Sequence, residues 1–350
     1  MLEPLYVPVL PTRPHASTAY RRLLPAIQRG VTPLWTVPQR TGLPPTELGK
    51  AFRADLDAVA RAQRYQPAWL DAPFVDETQF PVLAPLLRRV AAVAPLRPVT
   101  GPSRPGPQQR WAWEAARRSG DGLGIRVTLP QEWDAETLGH VRDLLAQADP
   151  AVRVDLLLDL VTVLPDRPDA GKEALRALDA LLPLAPWRTL ALIAGGAPQP
   201  AADLMSEGMC DEPRTDWALW GETLDSGRSY LDTLAYGDYG VQPASALSRD
   251  PQPGKGGPPW GTLRYTTDRS YLLAKMFTRG DERTAHNRAM ARRLLATPGF
   301  RATGTSTAEA WIRDCAQGSG GTGNASTWLW VGNVQHMTYV VHSLRSGNPP

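Results

Sequence analysis

Short apolar segments alternate with helix-like amphipathic stretches along most of this chain, and each apolar segment ends at a polar residue, Pro or Gly. Successive segments start about 30 residues apart, which is the length of one strand, its turn, a helix and the return loop. Seven segments have the length of a strand: Tyr6–Leu10, Val31–Val37, Gln66–Leu70, Leu96–Val99, Leu123–Val127, Val154–Val161 and Thr189–Ala194. An eighth near Tyr236–Val241 or Thr262–Thr266 would complete a single (β/α)8 TIM-like barrel over residues 1–350.

The predicted strands are almost continuously apolar instead of alternating between apolar and polar residues. This pattern is typical of parallel strands that are buried on both faces, and it favours the barrel independently of the spacing. The last third is less regular. We expect a Pro/Gly-rich loop at 243–260 near one rim of the barrel, and a hairpin of Leu263–Thr267 with Tyr271–Phe277. The C-terminal hairpin and helices of residues 264–350 are predicted to close the barrel.

Length and composition fit one large α/β domain, since the chain has 350 residues of which 42% are hydrophobic. No apolar run approaches the roughly 18–20 residues that cross a bilayer, and the N-terminus does not resemble a signal peptide. Two cysteines, Cys210 and Cys315, are too few for a disulfide framework or a four-ligand zinc site. We therefore predict a cytoplasmic protein with no membrane contact, no metal and no cofactor.

Arginine dominates the positive charge: 38 basic residues include only four lysines, which leaves 34 arginines. The formal net charge is only +3, so the chain as a whole is not an electrostatic nucleic-acid binder. Residues 264–301, however, carry nine basic side chains against three acidic ones. Either this segment forms a solvated helix face, or Arg288, Arg292 and Arg293 contact nucleic acid.

Functional residues of eight-stranded barrels lie at the carboxyl ends of the strands. In this chain those positions give a candidate binding site at the barrel mouth, made of Asp71, Arg126, Asp159, Asp238 and Arg264. Because side chains alternate along a strand, Arg126 and Asp159 should both point inward on neighbouring strands and form a charged pair.

The predicted Arg126–Asp159 pair has two interpretations. It could be a structural plug that satisfies itself, or it could recognise a ligand. Asp71 and Asp238 could add carboxylates for a divalent metal or a general base, or could cap loops. The residues alone leave both questions open.

Several reactions lack their sequence signatures. None of the four lysines ends a predicted barrel strand, which argues against a Schiff-base enzyme, and no Gly-x-Ser-x-Gly or His-Glu-x-x-His motif is present. Gly195 and Gly196 follow the seventh strand, where barrels often bind phosphate, and are candidate phosphate-binding residues.

Twelve tryptophans are many for this length. Trp111 and Trp113 cannot share one helix face, so at least one should reach the surface or a partner. Trp113, with Arg110 and Arg117, forms a candidate protein interface, since aromatic residues and arginine are enriched at interaction hot spots.

Three parts of the chain resemble the bacterial and phage family described as beta protein. They are the opening Tyr6-Val-Pro-Val-Leu with Val31-Thr-Pro-Leu-Trp-Thr-Val-Pro, the segments Tyr236-Gly-Asp-Tyr-Gly and Leu263-Arg-Tyr-Thr-Thr, and the closing Gly323-Asn, Trp328 and Gly332-Asn-Val-Gln-His336. One departure is that Trp35 and Thr36 stand where the family usually has an apolar residue and then a glutamate.

The resemblance implies a barrel-like protein of phages, prophages and bacterial defence regions that restrains a lethal partner gene, and it implies no reaction. Together with the missing glutamate, it favours a non-enzymatic, antitoxin-like protein whose partner is a toxin or a defence component. The alternatives are a barrel enzyme on a phosphorylated or nucleotide-like ligand, and nucleic-acid binding through residues 264–301.

Overall fold

A closed barrel of eight parallel strands forms the centre of the computed structural model, which describes residues 4–199, 202–248, 258–302 and 304–347. The barrel strands, in order around the barrel, are β1 (Tyr6–Pro11), β2 (Leu34–Thr36), β3 (Ala68–Asp71), β4 (Leu96–Thr100), β5 (Leu123–Thr128), β6 (Val154–Thr162), β7 (Thr189–Gly195) and β9 (Leu234–Asp238). The strand order and the parallel register confirm the predicted TIM-like barrel.

Helices separate most of these strands and cover the barrel from outside, and further helices follow the last barrel strand. They are α1 (Pro14–Arg21), α2 (Pro25–Gln28), α3 (Pro45–Ala62), α4 (Phe80–Ala91), α5 (Gly106–Ser119), α6 (Ala135–Ala146), α7 (Ala170–Leu181), α8 (Ala202–Glu207), α9 (Thr215–Leu224), α10 (Arg283–Leu295), α11 (Thr307–Gln317) and α12 (Ala325–Arg345). In α3, for example, Leu48, Phe52, Leu56 and Val59 recur at helical spacing and are all buried against the barrel wall.

Side chains from alternate strand positions fill the barrel interior. Trp69 is the largest of them, and it packs with Val99 and Leu157. A Cβ at Gly124 would lie 2.9 Å from Cδ1 of Trp69, so the missing side chain makes room for the indole. Asp155 closes the end of the barrel where the strands begin. It accepts hydrogen bonds from Trp69 Nε1 (2.9 Å) and from Arg188 Nε (2.7 Å). The interior is therefore a packed core, as expected for this fold.

A second layer lies against the outer flank of β1 and β9. It contains a three-stranded antiparallel sheet in the order β10 (Trp260–Thr266), β11 (Ser270–Phe277) and β8 (Met209–Pro213), together with α10, α11 and α12. The predicted hairpin is β10–β11. The prediction that residues 264–350 close the barrel is wrong, because β9 pairs with both β7 and β1 and completes the barrel without them.

The first part of the predicted 243–260 loop lies over the barrel mouth. Residues 244–246 form one turn of 3-10 helix, and the carbonyl of Leu247 accepts a hydrogen bond from the amide of Gln39 beyond β2 (3.1 Å). Residues 249–257 lie outside the described residues.

Candidate functional site

Arg126 is the centre of the barrel mouth, and three of the predicted site residues meet there. Its Nε and Nη2 donate to Asp159 Oδ2 at 2.8 and 2.5 Å, and its Nη1 donates to Asp71 Oδ2 at 2.7 Å. Nη2 also lies 2.8 Å from the hydroxyl of Tyr239, which in turn donates to Asp159 Oδ2 at 2.7 Å. The predicted charged pair is therefore present as part of a larger network.

The partners of Arg126 are themselves fully engaged. Arg104, from the loop after β4, donates to both oxygens of Asp71 (3.2 and 3.0 Å). The second oxygen of Asp159 accepts from the amide of Val161 at 2.8 Å. Val161 has a φ of +63°, which is unusual for a β-branched residue, and this backbone turn directs its amide to the carboxylate. Two arginines and two aspartates leave the mouth network electrically neutral.

Burial and charge act against each other within this network. Burial alone would lower the pKa of Arg126, but Asp159, Tyr239 and Asp71 together raise it well above its ordinary value. Burial, followed by the nearby Asp159 carboxylate, raises the pKa of Tyr239. The guanidinium thus stays charged and the phenol stays protonated, so neither group is prepared to exchange a proton near neutral pH.

Residues of the loop after β9 lie above the network. A cavity of about 10 Å³ remains beside Tyr239, under Gln242, Pro243 and Leu247, which is about the space of one water molecule. His15 Nε2 lies 3.1 Å from Gln242 Oε1 at this cover, and burial lowers the pKa of His15 to about 4. Among the described residues, the charged side chains of the mouth therefore pair mainly with one another.

Asp238 does not belong to the mouth, so its predicted position needs correction. In β9 the residues alternate, and Tyr239, one position later, faces inward while Asp238 faces the second layer. Its Oδ1 accepts from the hydroxyl of Tyr6 (2.5 Å) and its Oδ2 lies 2.8 Å from Nε2 of His336 in α12. This contact joins the barrel to the second layer.

Arg264 is also absent from the mouth, because β10 is not a barrel strand. It is buried between the second layer and the loop after β7, where Nη2 lies 3.4 Å from the carbonyl of Pro198. Burial without a carboxylate neighbour lowers its pKa to about 10.

Close packing accounts for Gly195 and Gly196. A Cβ at Gly195 would collide with the carbonyl of Val161, and one at Gly196 would collide with the carboxylate and amide of Asp216. Both glycines allow neighbouring backbone to approach, and their predicted role in phosphate binding gains no support from these contacts.

The predicted interface needs one correction. Trp113 is buried in the core at 5% exposure, whereas Trp111 lies in a surface groove of about 400 Å³ between α4 and α5, beside Phe80 and Arg110. Arg110 and Arg117 are exposed as predicted. The candidate interface was assigned to Trp113, but α5 turns Trp113 inward and leaves Trp111 at the surface.

The three arginines predicted to contact nucleic acid bind carbonyl oxygens of the protein itself. Arg288 and Arg292 reach Gly318 (3.5 Å) and Ala316 (3.2 Å) at the end of α11, and Arg293 reaches Glu207 (2.8 Å). Arg288 is half-buried, so Arg288 and Arg292 do not form the expected exposed face.

Two members of the mouth network, Tyr239 and Arg104, were not among the site residues predicted from the sequence. Tyr239 could have been found from the alternation in β9, since it lies in the Tyr236-Gly-Asp-Tyr-Gly segment. Arg104 comes from a loop, and no periodic signal points to it.

The chain matches one known protein family over the whole barrel. The sequence model of the family described as Beta protein matches residues 6–342. The chain belongs to the Beta protein family. No curated protein matches it.

Two solved structures resemble this Beta protein family member at low similarity. One is a mandelate racemase/muconate lactonizing protein from Herpetosiphon aurantiacus, with 12% identity, a TM-score of 0.35, and coverage of 78% of this chain and 61% of that one. The other is a D-threonine aldolase from Filomicrobium marinum, with 11% identity, a TM-score of 0.36, and coverage of 77% and 75%. The barrel assignment rests on the strand order and not on these likenesses.

Proposed function

We propose that this protein acts by binding another protein and that the barrel mouth performs no reaction. The observation that supports this most is the use of every nitrogen of the Arg126 guanidinium by Asp71, Asp159 and Tyr239. Nε of Arg104 is unpaired among the described residues, but a ligand at the mouth would also need space, and the cavity beside Tyr239 is about 10 Å³.

The proposed partner is a toxic protein or a defence component in the cytoplasm, which this chain restrains in the manner of an antitoxin. The support for the partner's nature is the resemblance of the sequence to proteins of phages and defence regions. Within the described residues no helix is both long and apolar enough to cross a membrane.

The groove between α4 and α5 is the proposed contact surface. Trp111 forms its floor with Phe80, at a ring separation of 6.0 Å, and Arg88 and Arg110 stand at its sides. The indole Nε1 of Trp111 is buried and has no hydrogen-bond partner within the part of the chain that the structure describes. An acceptor supplied by the partner would satisfy that donor, and tryptophan with arginine is the usual composition of an interaction hot spot.

Co-expression with the product of the adjacent gene tests this proposal. The wild-type chain should rescue growth and co-purify with that product. A double variant, Trp111→Ala with Arg110→Ala, should lose both properties, whereas Arg53→Ala, an exposed arginine on α3, should keep them.

The same assay separates contact from chemistry. Asp159→Asn should preserve rescue in any preparation that remains folded by circular dichroism. Loss of rescue by a stably folded Asp159→Asn, with co-purification intact, would show that the mouth network performs a reaction.

A further inference from the structure

A groove of about 940 Å³ opens on the flank of the barrel. It lies between the start of α9, the turn that joins β10 to β11, and the C-terminal half of α12. Sites for small molecules usually have volumes of about 300–1,000 Å³. The groove is therefore large enough for a ligand, unlike the mouth.

Most of the charged side chains that line this groove are cationic. Four arginines line it, namely Arg214, Arg269, Arg301 and Arg345, and Asp268 is the acidic residue among the described lining. Two of the arginines have carboxylates behind them, since Arg301 Nη2 lies 2.7 Å from Glu309 and Arg214 Nη2 lies 3.8 Å from Asp216. One positive charge remains unbalanced. The pKa of His342, which also lines the groove, is lowered by burial and then by Arg301 and Arg345.

Arg214 is buried at 2% exposure and has few partners for its position. Its Nη1 donates to the carbonyl of Thr267 at 3.2 Å, and Nε and Nη2 have no hydrogen-bond partner among the described residues. The guanidinium is held by aromatic rings instead, with its carbon 4.6 Å from the Trp217 ring centroid and 5.5 Å from that of Tyr339. Asp216 lies 3.8 Å from Nη2, beyond hydrogen-bond distance, so the buried guanidinium keeps donors that an anion can satisfy.

The backbone adds to this attraction. Arg214 is the N-cap residue of α9, a ten-residue helix with no side-chain cap at this end. The first amides of a helix carry partial positive charge and attract anions. The helix end and the arginines thus both attract an anion, against the opposing charge of Asp216 in the first turn of α9.

We propose that this groove binds a small phosphate ester that carries a flat apolar ring, of the nucleoside monophosphate class. Arginine matches phosphate oxygens with paired hydrogen bonds, and Arg269 and Arg345 are exposed at the rim where a phosphate can reach them. The volume far exceeds that of a bare anion, and Trp217, Ala218 and Tyr339 provide apolar surface for a ring. This proposal does not depend on the proposed protein partner.

Isothermal titration of the full chain with AMP, GMP, CMP and UMP at low salt tests the proposal. At least one nucleotide should bind and raise the melting temperature, while adenosine and inorganic phosphate should bind at least tenfold more weakly. The double variant Arg269→Gln with Arg345→Gln should lose at least tenfold in affinity and keep its fold. The matched control Arg53→Gln with Arg61→Gln removes the same charge from exposed positions on α3 and should keep the wild-type affinity.

Four results would overturn this assignment. They are no binding of any nucleotide at millimolar concentration, equal binding of inorganic phosphate alone, equal loss of affinity in the α3 control, and tighter binding of a single-stranded RNA oligonucleotide than of every mononucleotide. The first result would show that no nucleotide site exists, and the second that the ring adds nothing to binding. The third would show that the bound nucleotide does not lie in this groove, and the fourth that the ligand is a nucleic acid instead of a small molecule.

Discussion

Arg126 at the barrel mouth and Arg214 at the flank groove are two buried arginines with similar exposure, 4% and 2%. Both stand near an aspartate and a tyrosine, and the pKa of each is raised by those neighbours against the opposing effect of burial. Their hydrogen bonds differ. All three nitrogens of Arg126 are bonded to side chains, whereas among the described residues Arg214 donates to the carbonyl of Thr267 and leaves Nε and Nη2 unpaired.

The difference shows that burial alone does not separate a structural ion pair from a binding site. What separates them is the count of donors and acceptors together with the space beside them. At the mouth the charges cancel and about 10 Å³ is left, while at the groove charge is left over beside about 940 Å³. The first arrangement stabilises the fold, and the second can receive a ligand.

The largest expected effect is on stability at the mouth. Arg126→Met should lower the free energy of unfolding by about 3–5 kcal/mol, because it leaves Asp71 and Asp159 buried without their shared counter-charge. Arg214→Met should cost less than half of that, since Asp216 keeps its hydrogen bonds from Tyr236 and Tyr271. Urea unfolding of both variants measures the two losses, and equal losses would remove the distinction between the two arginines.

A surface pair gives the reference for that comparison. Arg89 and Asp57 lie 2.5 Å apart with side chains that are 46% and 35% exposed. Arg89→Ala should cost no more than about 1 kcal/mol.

The cover of the mouth should make stability depend on pH. Burial lowers the pKa of His15 to about 4 in the folded protein, against about 6.5 in the unfolded chain. Between these pH values the unfolded chain binds a proton that the folded protein does not, so stability falls as the pH decreases, by up to about 3 kcal/mol at pH 4. His15→Asn should flatten this part of the stability curve, while the exposed His140→Asn should leave it unchanged.

A smaller effect is expected where the barrel joins the second layer. Burial would raise the pKa of Asp238, but His336, the Tyr6 hydroxyl and the Gly240 amide together lower it. A lowered pKa contributes stability above the unfolded value of about 4, and that stability is lost as the pH falls through the folded value.

Asp238→Asn should therefore cost about 1.5–3 kcal/mol at pH 7 and should weaken the loss of stability below about pH 4. Tyr6→Phe removes one hydrogen bond and keeps the charge, which makes it the matched variant. If Asp238→Asn were as stable as the wild type, this contact would not join the two layers.

The barrel was predictable from the sequence because each strand carries its own local signal. Seven apolar segments with regular spacing determine seven strands, and the Arg126–Asp159 pair follows from alternation on two neighbouring strands. The eighth strand, Leu234–Asp238, begins two residues and ends three residues before the expected Tyr236–Val241. The other expected position, near Thr262–Thr266, belongs to the second layer.

The rest of the candidate sites depends on contacts between distant parts of the chain. The inward direction of Tyr239 and the outward direction of Asp238 are set by how β9 pairs with β1. The flank groove needs Arg214, the turn at Asp268 and the end of α12 at once. These residues belong to no common motif or periodic pattern, so local sequence patterns do not predict that they lie close together in the fold.

The smallest expected effect on stability is at the rim of the groove. It tests whether the groove arginines support the fold as Arg126 does. The side chain of Arg269 is 93% exposed, and its Nε lies 4.0 Å from Asp268. Arg269→Gln should change the free energy of unfolding by less than about 0.5 kcal/mol, because the fold gains little from an exposed charge in contact with water. Thermal and urea unfolding at matched salt would measure this. A loss of several kcal/mol would mean that the groove arginines support the fold, as Arg126 does, whereas an unchanged stability leaves their charge available for a ligand.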